Sequence, residues 1–365
     1  MDGNNGSTHW INGSLPIYIP NGAAMFAFTS ALFIIFVGIV GNLITIFALY
    51  RFSARLNSYA TTTFVINLAI ADLIFCSAVL PLNAGRYLTR SWPFGSFTCR
   101  LYPVFYYGTV ASSLMLITVI TINRLIMIAF NQRYQRIYTK RCTHLQIAFC
   151  WLFSFGIMAV PMFELWGRTG LHGPTFSCTI LRDQWNRSPK KYLFTLGFVM
   201  PMSVIVCCYT IIMVHVRRQT RIVRSNKINR RGANGGNPSM NTKSRTSKRD
   251  LRLTLLISVV FGAFMLCFMP LFIGNVILPD DRAPYFHVLA SICAWTNSCL
   301  NPFIYFALNP RYRNAFKRLF NIRSSYSINE SAVVVVASAI VADHSSSMLT
   351  NGKRNSKCSE TAIKL

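Results

Sequence analysis

The sequence predicts an all-α membrane protein, a bundle of seven transmembrane helices followed by a short amphipathic eighth helix. Of its 365 residues, 52% are hydrophobic and 13% are charged, a composition too apolar and too weakly charged for an ordinary soluble protein. Seven apolar runs are each long enough to cross a hydrocarbon core of about 30 Å. These runs cover residues 23–50, 59–83, 101–128, 145–165, 192–216, 251–278 and 285–308.

The distribution of Lys and Arg predicts how the runs are oriented. Short cytosolic flanks accumulate basic residues, and segment 1–22 contains none, whereas segment 217–249 contains eleven and no acid. Because the number of runs is odd, we expect the N-terminus outside the cell and the C-terminus in the cytosol of a plasma-membrane protein. The net charge of +27 is then mainly cytosolic, which favours membrane lipid and an acidic protein as partners over nucleic acid.

The segments around the seven-helix domain, 23–308, differ in composition. Segment 1–22 is a predicted extracellular N-terminus without the basic start and apolar core of a cleaved signal peptide. Within it, Asn5 and Asn12 match the N-glycosylation acceptor pattern. The basic third cytosolic loop, 217–250, is rich in Arg, Asn, Gly and Ser and is expected to be disordered in isolation.

The C-terminal part of the chain is predicted to lie in the cytosol. Residues 309–323 are expected to form the amphipathic helix, and 324–365 a Ser-rich tail that resembles a kinase substrate region. The apolar stretch 332–342 is too short to span a membrane, and its role stays open. The final Ile363-Lys364-Leu365 could add a strand to a PDZ domain.

Polar residues inside membrane spans are costly and usually functional, and here they accompany other characteristic residues along the seven runs. Run by run the pattern comprises Gly41-Asn42; Leu68-Ala69-Ile70-Ala71-Asp72; Asn123-Arg124; Trp151; Pro201 and Tyr209; Pro270; and Asn297-Ser298 followed by Asn301-Pro302-Phe303-Ile304-Tyr305. This pattern resembles the rhodopsin-like family of G-protein-coupled receptors over all seven runs, in order.

Within the family, the resemblance is to the melatonin-receptor-like receptors, including the insect group of Moody and Trapped in endoderm. Asn123 stands where the usual residue is Asp, and Phe268 where many members carry Trp. The outer Trp92-Pro93-Phe94-Gly95 fits the same group. These departures indicate a subgroup and leave the strength of signalling open, as does Leu125 in place of the usual Tyr.

The seventh run contains a helix break. Pro302 frees backbone groups that something nearby must satisfy, and it lies between Asn301 and an inward-pointing Tyr305. This grouping suggests a hinge near the cytosolic end, although a proline kink without further role is the alternative.

The resemblance implies a disulfide bridge and an ion site. It pairs Cys99, at the start of the third run, with Cys178 in the second outer loop, on the oxidising side of the membrane. It also places an allosteric sodium ion among oxygen ligands, here Asp72, Ser113, Asn297 and Ser298. A water-filled polar network is the alternative for that cluster, and no other cofactor is expected.

The resemblance also implies an activation switch at the cytosolic end. Arg124 would exchange a resting partner for contacts with Tyr209, Tyr305 and an inserted G-protein helix. Because Asn123 cannot form an ion pair, Asp250 is expected to be the resting partner. In the alternative, Arg124 extends to the membrane surface and Asp250 only caps its helix.

A second part of the implied switch lies in the sixth run. Pro270 kinks the helix below the ligand cavity, and Phe268 is expected to act there as a lever, with Phe264 further towards the cytosol. Core packing is the alternative interpretation of these rings.

The outer part of the bundle indicates what the ligand is not. Amine receptors of the family carry an Asp where this chain has Tyr106, and opsins carry a retinal-binding Lys where it has Trp295. The expected pocket is aromatic with a cationic mouth, which suits a lipid or amphipathic molecule bearing an acid group. Its residues are Arg86, Tyr102, Phe105, Tyr106, Tyr107, Arg182, Phe272 and Trp295, with Arg168 nearby. In the alternative, the arginines face solvent or lipid headgroups.

We therefore expect a receptor that passes an extracellular signal to a heterotrimeric G protein, of the inhibitory class if the subgroup holds. Arrestin and receptor kinases are the further partners that the family implies. A transporter would need a relay of intramembrane charges, whereas Asp72 stands nearly alone. A receptor-like scaffold or adhesion protein with weak signalling is the other alternative. An enzyme is not expected, because the sequence contains neither a nucleophile with an adjacent base nor a phosphate-binding Gly loop.

Overall fold

The structure is a computed structural model that describes residues 19–51, 59–231, 240–276 and 283–319. Seven long helices follow one another along the chain: α1 (Asn21–Arg51), α2 (Tyr59–Thr89), α3 (Gly95–Ala129), α4 (Lys140–Met162), α5 (Lys190–Arg231), α6 (Met240–Val276) and α7 (Pro284–Leu308). A short helix, Asn131–Ile137, lies between α3 and α4, and α8 (Pro310–Leu319) follows α7. The predicted seven-helix fold with a short eighth helix is confirmed.

Length and composition alone mark α1 to α6 as able to cross a membrane. Helix α7 has 25 residues, which is also enough for a core of about 30 Å, but it is less apolar. Its polar side chains, among them Asn297, Ser298 and Asn301, are buried within the bundle. The lower apolarity of α7 therefore reflects an interior polar face.

Several helices extend well beyond the predicted spans. Helix α2 continues past residue 83 to Thr89 through a π-helical turn, Phe75–Val79, which precedes Pro81 and accommodates a residue that lacks a backbone donor. Helix α5 runs on to Arg231, so that the first part of the expected loop 217–250 is helical. Extending a helix that has already formed is easier than starting a new one. The Arg and Gln residues after residue 216 also have high helix propensity.

The start of α6 also lies within the expected loop, because that helix begins at Met240. Residues 232–239 lie outside the described part of the chain, as do Asn5, Asn12, the tail 324–365 and the PDZ-like C-terminus. The predictions made for those positions therefore stay predictions.

Helix α3 is the centre of the bundle and packs against α2, α4, α5 and the outer hairpin. Helix α1 packs against α2 and α7, where small residues allow close approach. A side chain at Gly38 would meet Cys76 of α2, and a Cβ at Gly41 would lie 3.0 Å from the ring of Pro302. The glycines of α1 therefore set its distance from the break in α7.

A two-stranded antiparallel hairpin covers the outer end of the bundle. Strands β1 (Arg168–His172) and β2 (Ser177–Leu181) pair with Leu171 opposite Cys178. The predicted bridge between Cys99 and Cys178 is present and ties β2 to the start of α3. The hairpin is thereby held over the space between the helices.

The chain divides into two compact units, Met1–Phe316 and Lys317–Leu365. The seven long helices, the hairpin and residues 310–316 of α8 belong to the first unit. Of the second unit, the described residues are 317–319, the end of α8.

Candidate functional site

An outer cavity of about 130 Å³ lies beneath the hairpin, among the outer ends of α2, α3, α5, α6 and α7. Its inner wall is aromatic, and its residues include Tyr87, Tyr102, Tyr106, Tyr107 and Trp295. The Tyr87 and Trp295 rings meet edge to face at 5.9 Å, and Tyr106 contacts Tyr102 at 5.7 Å and Tyr107 at 5.1 Å. These mutually packed rings form a rigid wall suited to apolar or planar ligand groups.

The same cavity is cationic. Arg86 and Lys190 line it together with His172 and His287, and no Asp or Glu is among the lining residues. A ligand that brings a negative charge into this cavity would therefore be favoured over one that brings a positive charge.

Arg86 is the more informative of the two basic residues, because it is only 9% exposed. Its guanidinium lies 4.4 Å from the centre of the Tyr87 ring. Its Nε has no hydrogen-bond partner, and no carboxylate pairs with it among the described residues. A buried cation without a counter-charge is costly, so Arg86 is poised to receive an anionic group.

Two predicted pocket residues lie elsewhere, and these predictions are corrected. Phe105 is 38% exposed and packs edge to face on Phe155 of α4, because it lies one residue, about 100° around the helix, from Tyr106. Arg182 is exposed and donates to Asn186 Oδ1 at 2.8 Å, within the loop after β2.

Phe272, another predicted pocket residue, lines a second cavity rather than the outer one and stacks on Phe198 at 4.9 Å. Arg168 is also exposed, at the start of β1. Sequence reasoning missed Asn83 and Lys190, both of which line the outer cavity. Asn83 could have been found as a polar residue at the end of an apolar run, and Lys190 as a cation just before the fifth run.

A polar network occupies the centre of the bundle. Asp72 is buried, and its Oδ2 accepts a hydrogen bond from Asn301 Nδ2 at 2.8 Å. The side chains of Ser113 and Ser298 lie near the same carboxylate. Three of the four predicted sodium ligands therefore face one region, while the fourth, Asn297, is buried one turn before Asn301.

The break in α7 is satisfied by α1. Pro302 cannot donate to the carbonyl of Ser298, four residues earlier. That carbonyl instead accepts from Asn42 Nδ2 at 2.8 Å, and the same amide donates to Gly38 O at 2.9 Å. The predicted need for a partner at the proline is thus met by Asn42, which joins α1 to α7.

Asn123 has partners on two neighbouring elements at the cytosolic end. Its Oδ1 accepts from Thr61 Oγ1 of α2 at 2.9 Å, and its Nδ2 donates to Tyr134 Oη of the short helix at 3.3 Å. Tyr138 stacks on Tyr134 with ring centres 5.0 Å apart, and burial raises the pKa of Tyr138 to about 12. Asn123 therefore fixes the short helix against α2 and α3.

Arg124 is buried next to these contacts. Its Nη1 lies 3.2 Å from Met127 Sδ, and Tyr209 of α5 lies nearby. Tyr305 packs against Tyr312 of α8 with ring centres 6.0 Å apart. Asp250 lies in α6, but its side chain is outside the described part of the chain, so its pairing with Arg124 stays a prediction.

Two aromatic rings stack in α6 on the cytosolic side of Pro270. Phe264 and Phe268 lie 4.4 Å apart, and both are buried. They line the second cavity, which also contacts Phe272. A change in the occupancy of that cavity would therefore act directly on the part of α6 next to Pro270.

Known proteins resemble this chain along most of its length. The family described as "7 transmembrane receptor (rhodopsin family)" matches residues 41–305. Protein trapped in endoderm-1 of Drosophila melanogaster is 41% identical over 311 residues, which cover 82% of this chain and 79% of that protein. The G-protein coupled receptor moody of the same organism is 32% identical over 340 residues, and the chain spans about half of its length, 50%.

More distant relatives agree with these matches. Melatonin and somatostatin receptors match at 27 to 30% identity. The crystal structure of squid rhodopsin superimposes with a TM-score of 0.72, covering 88% of this chain and 95% of that chain at 22% identity. Squid rhodopsin supports the fold, and the sequence relatives support the predicted family and subgroup.

Replacing Asn42 with Ala should destabilise the bundle, because the Ser298 carbonyl would lose its partner in a water-free environment. We expect a loss of about 1–2 kcal/mol in the free energy of unfolding, measured by thermal unfolding of the purified chain. Thr29→Ala is the matched control, because Thr29 is an exposed residue of α1 that bonds only to its own helix. Equal stability of the two variants would contradict the role given to Asn42.

Proposed function

The chain belongs to the rhodopsin family of seven-transmembrane receptors, and from this premise we propose that it detects an extracellular acidic amphipathic molecule and activates an inhibitory G protein. As a G-protein-coupled receptor it is a signalling membrane protein rather than an enzyme. The proposed ligand is an acidic lipid or a molecule of similar chemistry, and not a biogenic amine.

The observation that carries the ligand proposal is Arg86. It is buried in the cavity wall, without a carboxylate partner among the described residues, beside an aromatic surface. An acid group on the ligand would supply the missing counter-charge, and the aromatic wall would pack against its apolar part. Lys190 adds a second cation at the same cavity.

The cavity also disfavours an amine. A protonated amine needs a carboxylate, and the residues that line the cavity include none. At the place where the family's amine receptors carry an Asp, Tyr106 packs among other aromatic rings. Because the relatives include receptors named for melatonin, somatostatin and dopamine, family membership alone does not select the ligand.

The inhibitory class of G protein is proposed from the melatonin-receptor-like subgroup. The plasma membrane, an extracellular N-terminus, and arrestin and receptor kinases as partners are proposed on the same ground. The extracellular placement of the N-terminus has further support from the basic flank of α5. Arg217 and Arg218 are exposed there, on the side assigned to the cytosol.

A sodium ion is proposed as an allosteric ligand of the central network. Asp72, Ser113 and Ser298 offer one carboxylate and two hydroxyl oxygens, the hard donors that a small cation accepts. Bound there, the ion would add a positive charge beside the buried carboxylate and hold α2, α3 and α7 together. The ligand set inferred from the sequence thus suits the ion chemically.

Coupling through Arg124 can be tested by G-protein dissociation in cells, measured across the main Gα classes. We expect a basal or lipid-evoked signal in the inhibitory class that Arg124→Ala abolishes, because this side chain is proposed to contact the G protein. Arg141→Ala, an exposed arginine at the start of α4, serves as the control at matched surface level. Silence in every class with normal surface expression would favour the scaffold alternative, and a signal retained in Arg124→Ala would contradict the switch.

The ligand proposal can be tested with a panel of acidic single-chain lipids, namely oleoyl lysophosphatidate, sphingosine phosphate and oleate. Arg86→Gln should reduce the potency of an active lipid by at least about 30-fold, because losing the partner of a buried charge costs roughly 2–5 kcal/mol. Arg182→Gln removes an exposed cation of the same outer face and should have little effect. No response to the panel, or equal losses in both variants, would refute the proposed ligand class.

The sodium site can be tested by thermal unfolding of the purified receptor in sodium chloride and in N-methylglucamine chloride of equal ionic strength. At about tenfold above its dissociation constant, sodium should add roughly 1.4 kcal/mol of stability, and Asp72→Asn should remove this difference. Asp183→Asn in the outer loop should keep it, because Asp183 pairs with Arg187 outside the network. A sodium effect that survives Asp72→Asn would show that the ion binds elsewhere.

A further inference from the structure

A second cavity, which we call the crevice, lies between α3, α4, α5 and α6 and has a volume of about 280 Å³. Its walls are almost entirely apolar, and its lining residues include Val110, Met115, Ile157, Phe194 and Leu271. Tyr106 and Tyr107 are the tyrosines among its lining residues, and none of the lining residues is charged. Such a surface suits a hydrocarbon group and no ion.

The crevice opens sideways, between α4 and α5. Phe153 of α4 is 43% exposed, and Leu196 and Met200 of α5 are 65% and 57% exposed. These residues lie within membrane-spanning segments, so their exposed surfaces face the bilayer. A molecule dissolved in the bilayer can therefore reach the crevice without passing through water.

The inner end of the crevice is formed by the stacked rings of α6. Phe264 is only 1% exposed and Phe268 is 7% exposed, and both line the crevice. The crevice therefore extends from the lipid-facing surface to the helix that contains Pro270. A shallow groove filled by bulk lipid would not reach these buried rings.

The crevice adjoins the cationic outer cavity. Tyr106, Tyr107 and Leu271 line both spaces. Tyr107 divides them, with its hydroxyl 3.0 Å from Thr179 Oγ1 on β2 and its ring 5.3 Å from that of Phe194 on α5. A molecule with a polar head and an apolar chain can therefore place its two ends on the two sides of one tyrosine pair.

The volume is appropriate for a single chain. It is near the lower end of the roughly 300–1,000 Å³ of ligand pockets and about twice the ~150 Å³ of an apolar cavity that holds benzene. A bulky polycyclic or peptide ligand would need more room, whereas part of one acyl or isoprenoid chain fills such a space.

We propose that the crevice binds the hydrocarbon chain of an acidic single-chain lipid that enters from the bilayer between α4 and α5, while its acid group lies at Arg86. This inference rests on the proposed function and adds the tail site and the route of access. The chain would contact Phe264 and Phe268 directly, so the apolar end of the ligand acts on α6 and the acidic end anchors it.

A photoreactive palmitate with a diazirine in its chain and a terminal alkyne tests this proposal. The full chain in phosphatidylcholine vesicles is irradiated with this probe, and adducts are mapped by mass spectrometry. We expect adducts on crevice residues such as Met115 and Phe264. Gly197→Phe should lower their yield about tenfold, which corresponds to roughly 1.4 kcal/mol, or about two buried methylene groups.

Gly197 is suited to this test because it lines the crevice and a Cβ there would meet no atom within 4 Å. Gly156 of α4 has equally open surroundings, is exposed and is not among the crevice residues, so Gly156→Phe is the matched control. Both variants should unfold at nearly the wild-type temperature. Equal adduct yields in the two variants would overturn the proposal.

The acid group is tested separately. The methyl ester of the probe, and Arg86→Gln with the free acid, should both give fewer crevice adducts. Undiminished labelling in both cases would show that the crevice binds chains without the anchor, which contradicts the proposed single ligand. A loss of lipid potency in Arg86→Gln without any effect of Gly197→Phe would instead refute the crevice and leave the proposed function standing.

Discussion

The bundle depends on how the break in α7 is satisfied. Pro302 leaves the carbonyl of Ser298 without its helical donor, and a bilayer offers no water to replace it. Asn42 supplies that donor at 2.8 Å, and Gly41 leaves room for α1 to approach the proline. One proline in α7 therefore requires both an asparagine and a glycine in α1, which fixes the packing of the first helix on the last.

The functional elements are arranged around this junction. Asn301, next to the proline, donates to the buried carboxylate of Asp72, so the break in α7 also orients the central network. Trp295 lies earlier on α7 and closes the floor of the outer cavity. Because α7 carries the cavity wall, the network and the break in one helix, a ligand above it can bias the packing below it.

Helix α3 provides the second connection. Tyr106 borders the outer cavity, Ser113 joins the central network, and Arg124 ends at the cytosolic side. Asn123 in this chain is neutral and bonds to Thr61 and to Tyr134. Asn123 thus makes neutral hydrogen bonds at a position where an Asp could form an ion pair with the neighbouring Arg124.

Much of this could be predicted from the sequence because the bilayer restricts the fold so strongly. The seven spans follow from apolar length, and the satisfied proline and the buried Asp72 follow from the cost of polar groups in lipid. Which side chains of a helix face the cavity was harder to predict. Phe105 and Tyr106 are neighbours in the sequence, but only Tyr106 lines the outer cavity. Lys190 was missed because loop folding, set by the hairpin and the bridge at Cys178, decides which outer cations meet.

The central proposal is that an acidic ligand in the outer cavity changes the position of the cytosolic end of α6. The change would pass through the polar network of Asp72 and Asn301. The most direct test of this proposal is the distance distribution between nitroxide labels at Lys140 on α4 and Ser247 on α6, measured by electron–electron double resonance with and without an active acidic lipid. The account predicts two distances whose populations shift towards the longer one with lipid, and no lipid-dependent shift in Arg86→Gln. A single distance that lipid does not change, or an undiminished shift in Arg86→Gln, would contradict it.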